Sequence, residues 1–333
     1  MRFWRRSEKE DGISCVVRAK DEEEWVWMSL VSILDFADEI IFVDNGSRDQ
    51  TLALVQELKR SWRIEKLKIF TFPEIDGVRV QAKDLYQFAF GQATRSWVMK
   101  WDADFIARTD GLYAISELKN FWYDHRRKWG RIKLNAPNLW GDHAHYRSAS
   151  GGAPDLCNEG YLFQNRDWFY RMNREYGYEE VAFHRHVRER GIGPWANSAD
   201  DRRMYWFHLQ GVKSDAKIFE RTYISRWWKY CLEARGKGLS HDQWLGKEFQ
   251  TSDRAEMIRR AMRRYFEDGR LERFTKIGGE WGDYPKLMEE YLQNPRYLVL
   301  YENGQPAYRE TRPIPIPRPA PALPRAKGME GPS

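Results

Sequence analysis

Trp97-Val98-Met99-Lys100-Trp101-Asp102-Ala103-Asp104-Phe105 is the stretch on which the fold turns. Its apolar Trp97, Val98, Met99 and Trp101 predict a buried strand that delivers two carboxylates, Asp102 and Asp104, at its carboxyl end. Side chains alternate along an extended chain, so residues two apart project to one side and both acids are expected to face one spot. Two anions side by side repel unless a cation or a proton lies between them, and more so as water is excluded. A hard divalent ion suits the pair. Mg²⁺ takes one or two carboxylates plus substrate phosphates, and Mn²⁺ tolerates nitrogen ligands besides. Asp-x-Asp also occurs in ordinary surface turns, so the weight falls on its surroundings.

Toward the amino terminus, Ile13 to Ala19 (ISCVVRA) is a compact apolar run suited to a buried strand. Lys20-Asp21-Glu22-Glu23 follows, with acids suited to a helix start, and then Val26, Leu30, Ile33, Leu34 and Ala37 recur at helical spacing. Glu39 to Val43 (EIIFV) predicts a second strand, running into the polar turn Asp44 to Thr51 and a helix from Leu52 to Lys59. Leu67 to Phe72 predicts a third strand, and a helix over Gln81 to Ala93 leads into the Trp97 strand. This alternation predicts an α/β fold with a mostly parallel sheet covered on both faces. Ligands of such sheets collect at the carboxyl ends of the strands, where the Asp21, Asp44 and Asp102/Asp104 turns all fall. Random surface acids would not all follow apolar strands. Neither GxxxxGK[ST] nor GxGxxG is present, so a bound nucleotide needs another counter-charge for its phosphates, which a metal supplies.

The strings Val17-Arg18-Ala19-Lys20-Asp21-Glu22-Glu23, Asp38-Glu39-Ile40-Ile41-Phe42-Val43-Asp44-Asn45-Gly46-Ser47-Arg48-Asp49-Gln50-Thr51 and Asp102-Ala103-Asp104 together carry a family likeness. They resemble the amino-terminal half of family 2 glycosyltransferases of the GT-A fold, inverting and DxD-containing, over residues 13 to about 210. The resemblance implies a Rossmann-like α/β domain and an enzyme that uses a nucleotide-diphosphate sugar, usually a uridine one, with Mn²⁺ or Mg²⁺. By the same resemblance Ala19, the Asp21/Glu23 turn and Asp44 line the nucleoside site, Asp102 meets the ribose or the metal, and Asp104 binds the metal. Asp21 stands where the family usually has Asn.

Beyond the DxD the residues predict a helix near Asp110 to Asn120, a strand over Arg131 to Asn135 and a loop over Pro137 to Asp155, whose His143 and His145 read as surface residues. Gly177-Tyr178-Glu179-Glu180 precedes an expected helix from Val181 to Arg190 ended by Gly191; acids there suit the helix dipole in any case. The family pattern at this point is Glu-Asp followed by a helix. That resemblance implies Glu180 as the general base, with Glu179 its alternative and Glu159 and Asp155 outside candidates. Transfer needs such an acid, because the acceptor hydroxyl must lose its proton as the bond to the anomeric carbon forms. His208, in the strand-like run Tyr205 to Leu209, reads by itself as a packed core residue. The resemblance makes it a metal ligand and Lys213 a contact of the diphosphate.

The apolar content of 42% and aromatic content of 15% describe a globular chain, ample in core at 333 residues. Cys15, Cys157 and Cys231 are odd in number and widely spaced, which argues against a disulfide framework or zinc site and for a reducing compartment. MRFWRRSEKEDG is charged and no long apolar run follows it, so the expectation is a soluble, cytoplasmic protein without a transmembrane segment. The net charge of +6 belongs to the carboxyl-terminal part, where residues from 201 onward hold 25 Lys and Arg against 18 Asp and Glu. Arg226 to Tyr230 and Asp253 to Glu267 predict helices there, the second amphipathic with an arginine-rich outer face.

The expected organisation is an extension (1–12), a GT-A catalytic domain (13–215, with a nucleotide-sugar half to 105 and an acceptor half after it), a mainly helical basic extension (216–311) and a proline-rich disordered tail (312–333). The leading acceptor is a hydroxyl of a glycan or lipid-linked glycan. A hydroxylated base in DNA, gripped through phosphates by the basic region, is the first alternative. A non-catalytic nucleotide-sugar-binding protein is the second.

Overall fold

The computed structural model describes residues 9–72, 82–111, 113–147, 156–166, 168–173, 178–192, 203–233, 238–267, 271–273 and 283–319. The first part alternates as the sequence predicts: β1 (Glu10–Ala19), α1 (Val26–Ser32), β2 (Glu39–Asp44), α2 (Thr51–Ser61), β3 (Leu67–Thr71), α3 (Ala82–Gly91) and β4 (Arg95–Asp102). These four strands lie parallel in the order β3-β2-β1-β4. Period-2 alternation sorts β1 between two cores: Ile13, Cys15 and Val17 join the cluster under α1 and α2, and Val16 joins Val98, Leu85 and Phe90 under α3. Register brings the strand ends level, with Ala19 opposite Asp44 and Arg18 opposite Asp102. The three acidic turns therefore share one edge of the sheet.

The chain continues through β5 (Phe105–Ala107), α4 (Ile115–His125), β6 (Arg131–Trp140), β7 (His145–Arg147), β8 (Leu156–Gln164), β9 (Trp168–Asn173), β10 (Tyr178–Phe183), β11 (Glu189–Ile192) and β12 (Trp206–Gly211). Strand β8 lies antiparallel between β4 and β6, while β12 runs parallel to β6 and antiparallel to β5. The helix expected over Val181 to Arg190 is not there. Its first residues are strand, paired with β9 from Tyr178–Asn173 to Phe183–Trp168, and β11 adds to β6. Val181 and Phe183 pack against the core under α3 at the two-residue spacing of a strand, whereas a helix would turn them to opposite sides. Glu179 and Glu180 thus lie within a hairpin strand, and the helix-dipole account of their position falls away. The loop expected from Pro137 is also shorter, because β6 runs on to Trp140 and β7 follows.

Residues 215–311 form α5 (Asp215–Glu233), α6 (His241–Phe249), α7 (Arg254–Glu267), β13 (Leu271–Arg273), α8 (Glu289–Gln293), β14 (Tyr297–Glu302) and β15 (Gln305–Thr311). Strand β13 joins the catalytic sheet by pairing with β7, and β14 and β15 make a separate hairpin. Helix α7 buries Met257, Ala261, Met262 and Phe266. Its outer arginines pair with neighbouring acids: Arg254 with Glu220 at 3.2 Å, Arg260 with Glu256 at 2.6 Å and Arg264 with Glu248 at 2.9 Å. The start of the proline-rich tail is packed rather than loose. Ile316 packs on an apolar cluster, Trp27 donates from Nε1 to Pro319 O at 3.4 Å, and Arg318 approaches Glu57 at 3.9 Å. Residues 320–333 lie outside the described ones. Among the described residues no helix is long and apolar enough to cross a membrane.

Candidate active site

Helix α1 anchors the turn after β4 through buried serines. Ser29 accepts from Trp101 Nε1 at 2.9 Å and donates to Asp102 O at 3.3 Å, while Ser32 accepts from Ala107 N at 3.0 Å. The strand stops at Asp102, and residues 103 and 104 turn before β5 begins. The two carboxylates consequently part company, where strict strand alternation predicts a shared spot. Asp102 lies 3.4 Å from Lys100 Nζ and 3.9 Å from Arg18 Nε, and its buried Oδ1 accepts no hydrogen bond among the described residues. Asp104 turns the other way, toward Lys213 Nζ at 2.7 Å, Arg221 Nη1 at 2.9 Å and His208 Nε2 at 3.2 Å.

Asp104 is almost fully buried, and burial opposes its charge. The fields of Lys213, His208 and Arg221 outweigh that cost and hold the carboxyl well below the usual carboxylate range. The reciprocal effect raises Arg221: burial opposes its charge, but Asp104 and Glu22 more than restore it. Glu22 is the second anion of the cluster, 2.6 Å from Lys213 Nζ, 3.7 Å from Arg221 and 4.0 Å from Lys217. Lys217 is held below its ordinary value by burial, partly offset by Glu22.

His208 carries the most specific signal. Its Nδ1 stands 2.6 Å from Asn138 Oδ1, across the β12–β6 register that pairs the two residues. The amide oxygen accepts, which assigns a proton to Nδ1 and leaves Nε2 facing Asp104 Oδ2, where a second proton makes the cation whose field Asp104 feels and its loss bares a lone pair. A lone pair facing a carboxylate is repulsive unless a proton or a metal cation lies between them, and an outer partner that fixes the tautomer is usual for metal-ligating histidines. The donor set of Asp104 and His208 therefore fits a divalent ion that takes its other ligands from a diphosphate. Asp102 does not join them directly, and among the described residues no group of three His, Cys, Asp or Glu side chains converges on one point.

The nucleoside-side residues are arranged differently. Asp21 has a left-handed backbone, φ 54°, and accepts from Arg48 N at 2.6 Å, while Glu23 accepts from Gln50 N at 3.0 Å. These acids brace the loop after β2 rather than stand free. Asp44 caps that loop by accepting from Gly46 N and Ser47 N, each at 3.1 Å, and keeps a buried Oδ1 without a hydrogen-bond partner among the described residues. Ala19 O accepts from Asn45 N at 2.8 Å. Lys213, expected at the diphosphate, is sealed between Glu22 and Asp104. Arg221 and Lys217 on α5 are the more accessible cations, and sequence reasoning missed both; their i, i+4 spacing from each other, which puts them on one helix face, was the available signal.

Glu179 and Glu180 lie on β10 and Glu159 on β8, and Asp155 lies outside the described residues. His145 is buried, not on the surface. Its Nδ1 stands 2.6 Å from Asp142 Oδ1 and its Nε2 meets Tyr301, tying β7 to the β14 hairpin, and His143 is partly buried beside it.

The family model described as glycosyl transferase family 2 matches residues 14–185, and the chain belongs to that family. It is a glycosyltransferase of the kind that draws on nucleotide sugars. Among solved structures, TarS 1-349 of S. aureus aligns at 13% identity over 90% of this chain and 100% of its own, with a TM-score of 0.39. The mannosyltransferase PcManGT of Pyrobaculum calidifontis, in complex with GDP-Man and Mn2+, aligns at 19% identity over 40% of this chain and 36% of its own, with a TM-score of 0.31. Glucosyl-3-phosphoglycerate synthase of Mycobacterium tuberculosis, in complex with Mg2+ and UDP, aligns at 18% over 38% of this chain and 44% of its own, with a TM-score of 0.29. No curated protein matches the sequence.

Proposed function

We propose that the chain is a metal-assisted, inverting transferase that moves a sugar from a UDP-sugar to an acceptor hydroxyl. The observation that carries this reading is the Asn138–His208–Asp104 series, which turns a ring nitrogen and a buried carboxylate toward each other beside two accessible cations. Asp104 and His208 would hold Mn²⁺ or Mg²⁺, which when bound neutralises charge on the departing diphosphate. Asp102, with its unpartnered Oδ1, would serve the ribose rather than the ion, and Asp44 Oδ1 is available to the nucleoside.

Arg221 and Lys217 meet the diphosphate and take up its growing charge as the bond to the anomeric carbon breaks with the electron pair leaving on oxygen. The acceptor oxygen forms its bond to that carbon from the opposite face and gives its proton to a carboxylate, for which Glu180 is assigned and Glu179 is the neighbouring alternative. The acceptor is a glycan or lipid-linked glycan. Arg254, Arg260 and Arg264 are paired with glutamates, which favours an internally neutralised helix face over one that grips DNA.

Titration calorimetry with UDP, with and without Mn²⁺, tests the donor side. Binding is expected to strengthen at least tenfold with Mn²⁺, and the Asp104→Ala variant is expected to lose that gain. Failure of both UDP and GDP to bind under either condition overturns the reading.

A further inference from the structure

Helix α5 has a second functional face. Lys217 and Arg221 point at Glu22 and Asp104, and Ile218, Thr222 and Arg226, about 100° round the helix, line a cavity of about 260 Å³ closed by β6, β7 and α7. Its other wall is Trp140, two residues along β6 from Asn138, the partner of His208. The cavity therefore shares two elements, α5 and β6, with the Asp104–His208 site. Trp140 is pinned by the close approach of β12, since a Cβ on Gly211 would stand 2.6 Å from its ring.

The lining combines arginines and aromatic faces with the apolar Ile218, Ala261, Met262 and Leu271, and holds no carboxylate. Arg147 lies over the Trp140 ring, its Cζ 5.5 Å from the centroid, and Arg226 lies over Tyr223 at 5.0 Å. Neither guanidinium has a carboxylate partner among the described residues, whereas Arg264 at the rim is paired with Glu248. Trp140 is only 7% exposed, yet its Nε1–H donates to nothing among the described residues, and the buried hydroxyl of Tyr265, 5.6 Å away between ring centroids, is likewise unpartnered. Both atoms are sealed from solvent, so it is the two guanidiniums that the cavity offers to a ligand.

We infer that this cavity is the acceptor subsite and that the acceptor carries a phosphate on the sugar or polyol unit that enters it. The phosphate lies between Arg147 and Arg226, whose planar forks suit its oxygens, and the carbon skeleton lies against the aromatic faces of Trp140 and Tyr265. The volume admits a single sugar-sized unit and excludes a nucleic-acid duplex. This inference rests on the transferase reading above and deepens it.

The test uses the full chain saturated with UDP and Mn²⁺, titrated with inorganic phosphate, glucose 6-phosphate, glucose and glucuronate. Glucose 6-phosphate is expected to bind at least tenfold more tightly than glucose or glucuronate. Arg147→Gln and Arg226→Gln are each expected to weaken it tenfold or more, with UDP affinity unchanged throughout. Thermal melting of each variant checks that it folds. The inference is overturned if neither phosphate nor glucose 6-phosphate binds, if the arginine variants bind as the parent does, or if glucuronate binds equally well. A loss of UDP affinity in Arg147→Gln also overturns it, by making the cavity part of the donor site. If UDP does not bind but glucose 6-phosphate does, and does so through both arginines, the cavity assignment stands and the donor reading fails.

Discussion

Asp104 and Asp142 are both buried carboxylates, and their partners differ in kind. Asp142 accepts from backbone N–H groups of Val299 and Ala144, each at 2.8 Å, and from His145. Asp104 has only side-chain partners, three basic groups, one of them on a partly exposed arginine. Backbone donors lock a carboxylate to the fold and leave it nothing to do. Side-chain cations can swing toward an incoming anion without breaking a strand or a turn. The contrast separates a structural tie between β7 and the carboxyl-terminal hairpin from a site built to exchange partners.

The contrast can be broken by substitution. Arg221→Met removes an accessible cation from Asp104, and transfer or donor hydrolysis is expected to fall about 100-fold, roughly 2.7 kcal/mol in the barrier. The melting temperature should move little, because Lys213 still covers the carboxylate. Comparable loss of fold and activity would place Arg221 with the structural residues. Asp142→Asn should do the reverse, costing about 1–3 kcal/mol of stability by denaturant unfolding while activity per folded molecule stays within about threefold.

A smaller effect is expected from pH. Burial pushes the Asp142 carboxyl up, but the His145 bond and field and the Val299 N–H outweigh it and leave the group below its ordinary value. Burial holds His143 below its ordinary value, with Asp142 opposing. Both groups take up protons more readily in the unfolded chain, so stability is present at neutral pH and is lost as pH falls. The His143 part begins to go below about 6.5 and the Asp142 part below about 4. Melting curves should drop by about 2–4 °C between pH 7 and 5, and Asp142→Asn should flatten only the steeper decline below about pH 4.

The amino-terminal half was legible because its strands are continuous apolar runs and each acidic turn follows its strand locally. Asp104 and His208 were singled out through the family resemblance, and the structure brings the two side chains to 3.2 Å of each other. Asn138 was hidden inside what read as a loop, and Glu22 was passed over between Asp21 and Glu23 because its partner Lys213 lies 191 residues away. No local spacing encodes such a pair. The β10 hairpin was misread because Glu179-Glu180 was matched to the family's acid pair ahead of a helix, and pairing with β9 decided the matter.

The strap that carries Ile316 to Pro319 across α1 has few bonds, yet four of its residues, Pro313, Pro315, Pro317 and Pro319, have φ already restricted in the unfolded chain. Little backbone freedom remains to be lost when it is laid down, so weak contacts suffice. Exchanging the exposed Pro313 and Pro315 for alanine would leave the Trp27 and Arg318 contacts in place and still loosen the strap, chiefly through the disorder of the unfolded state.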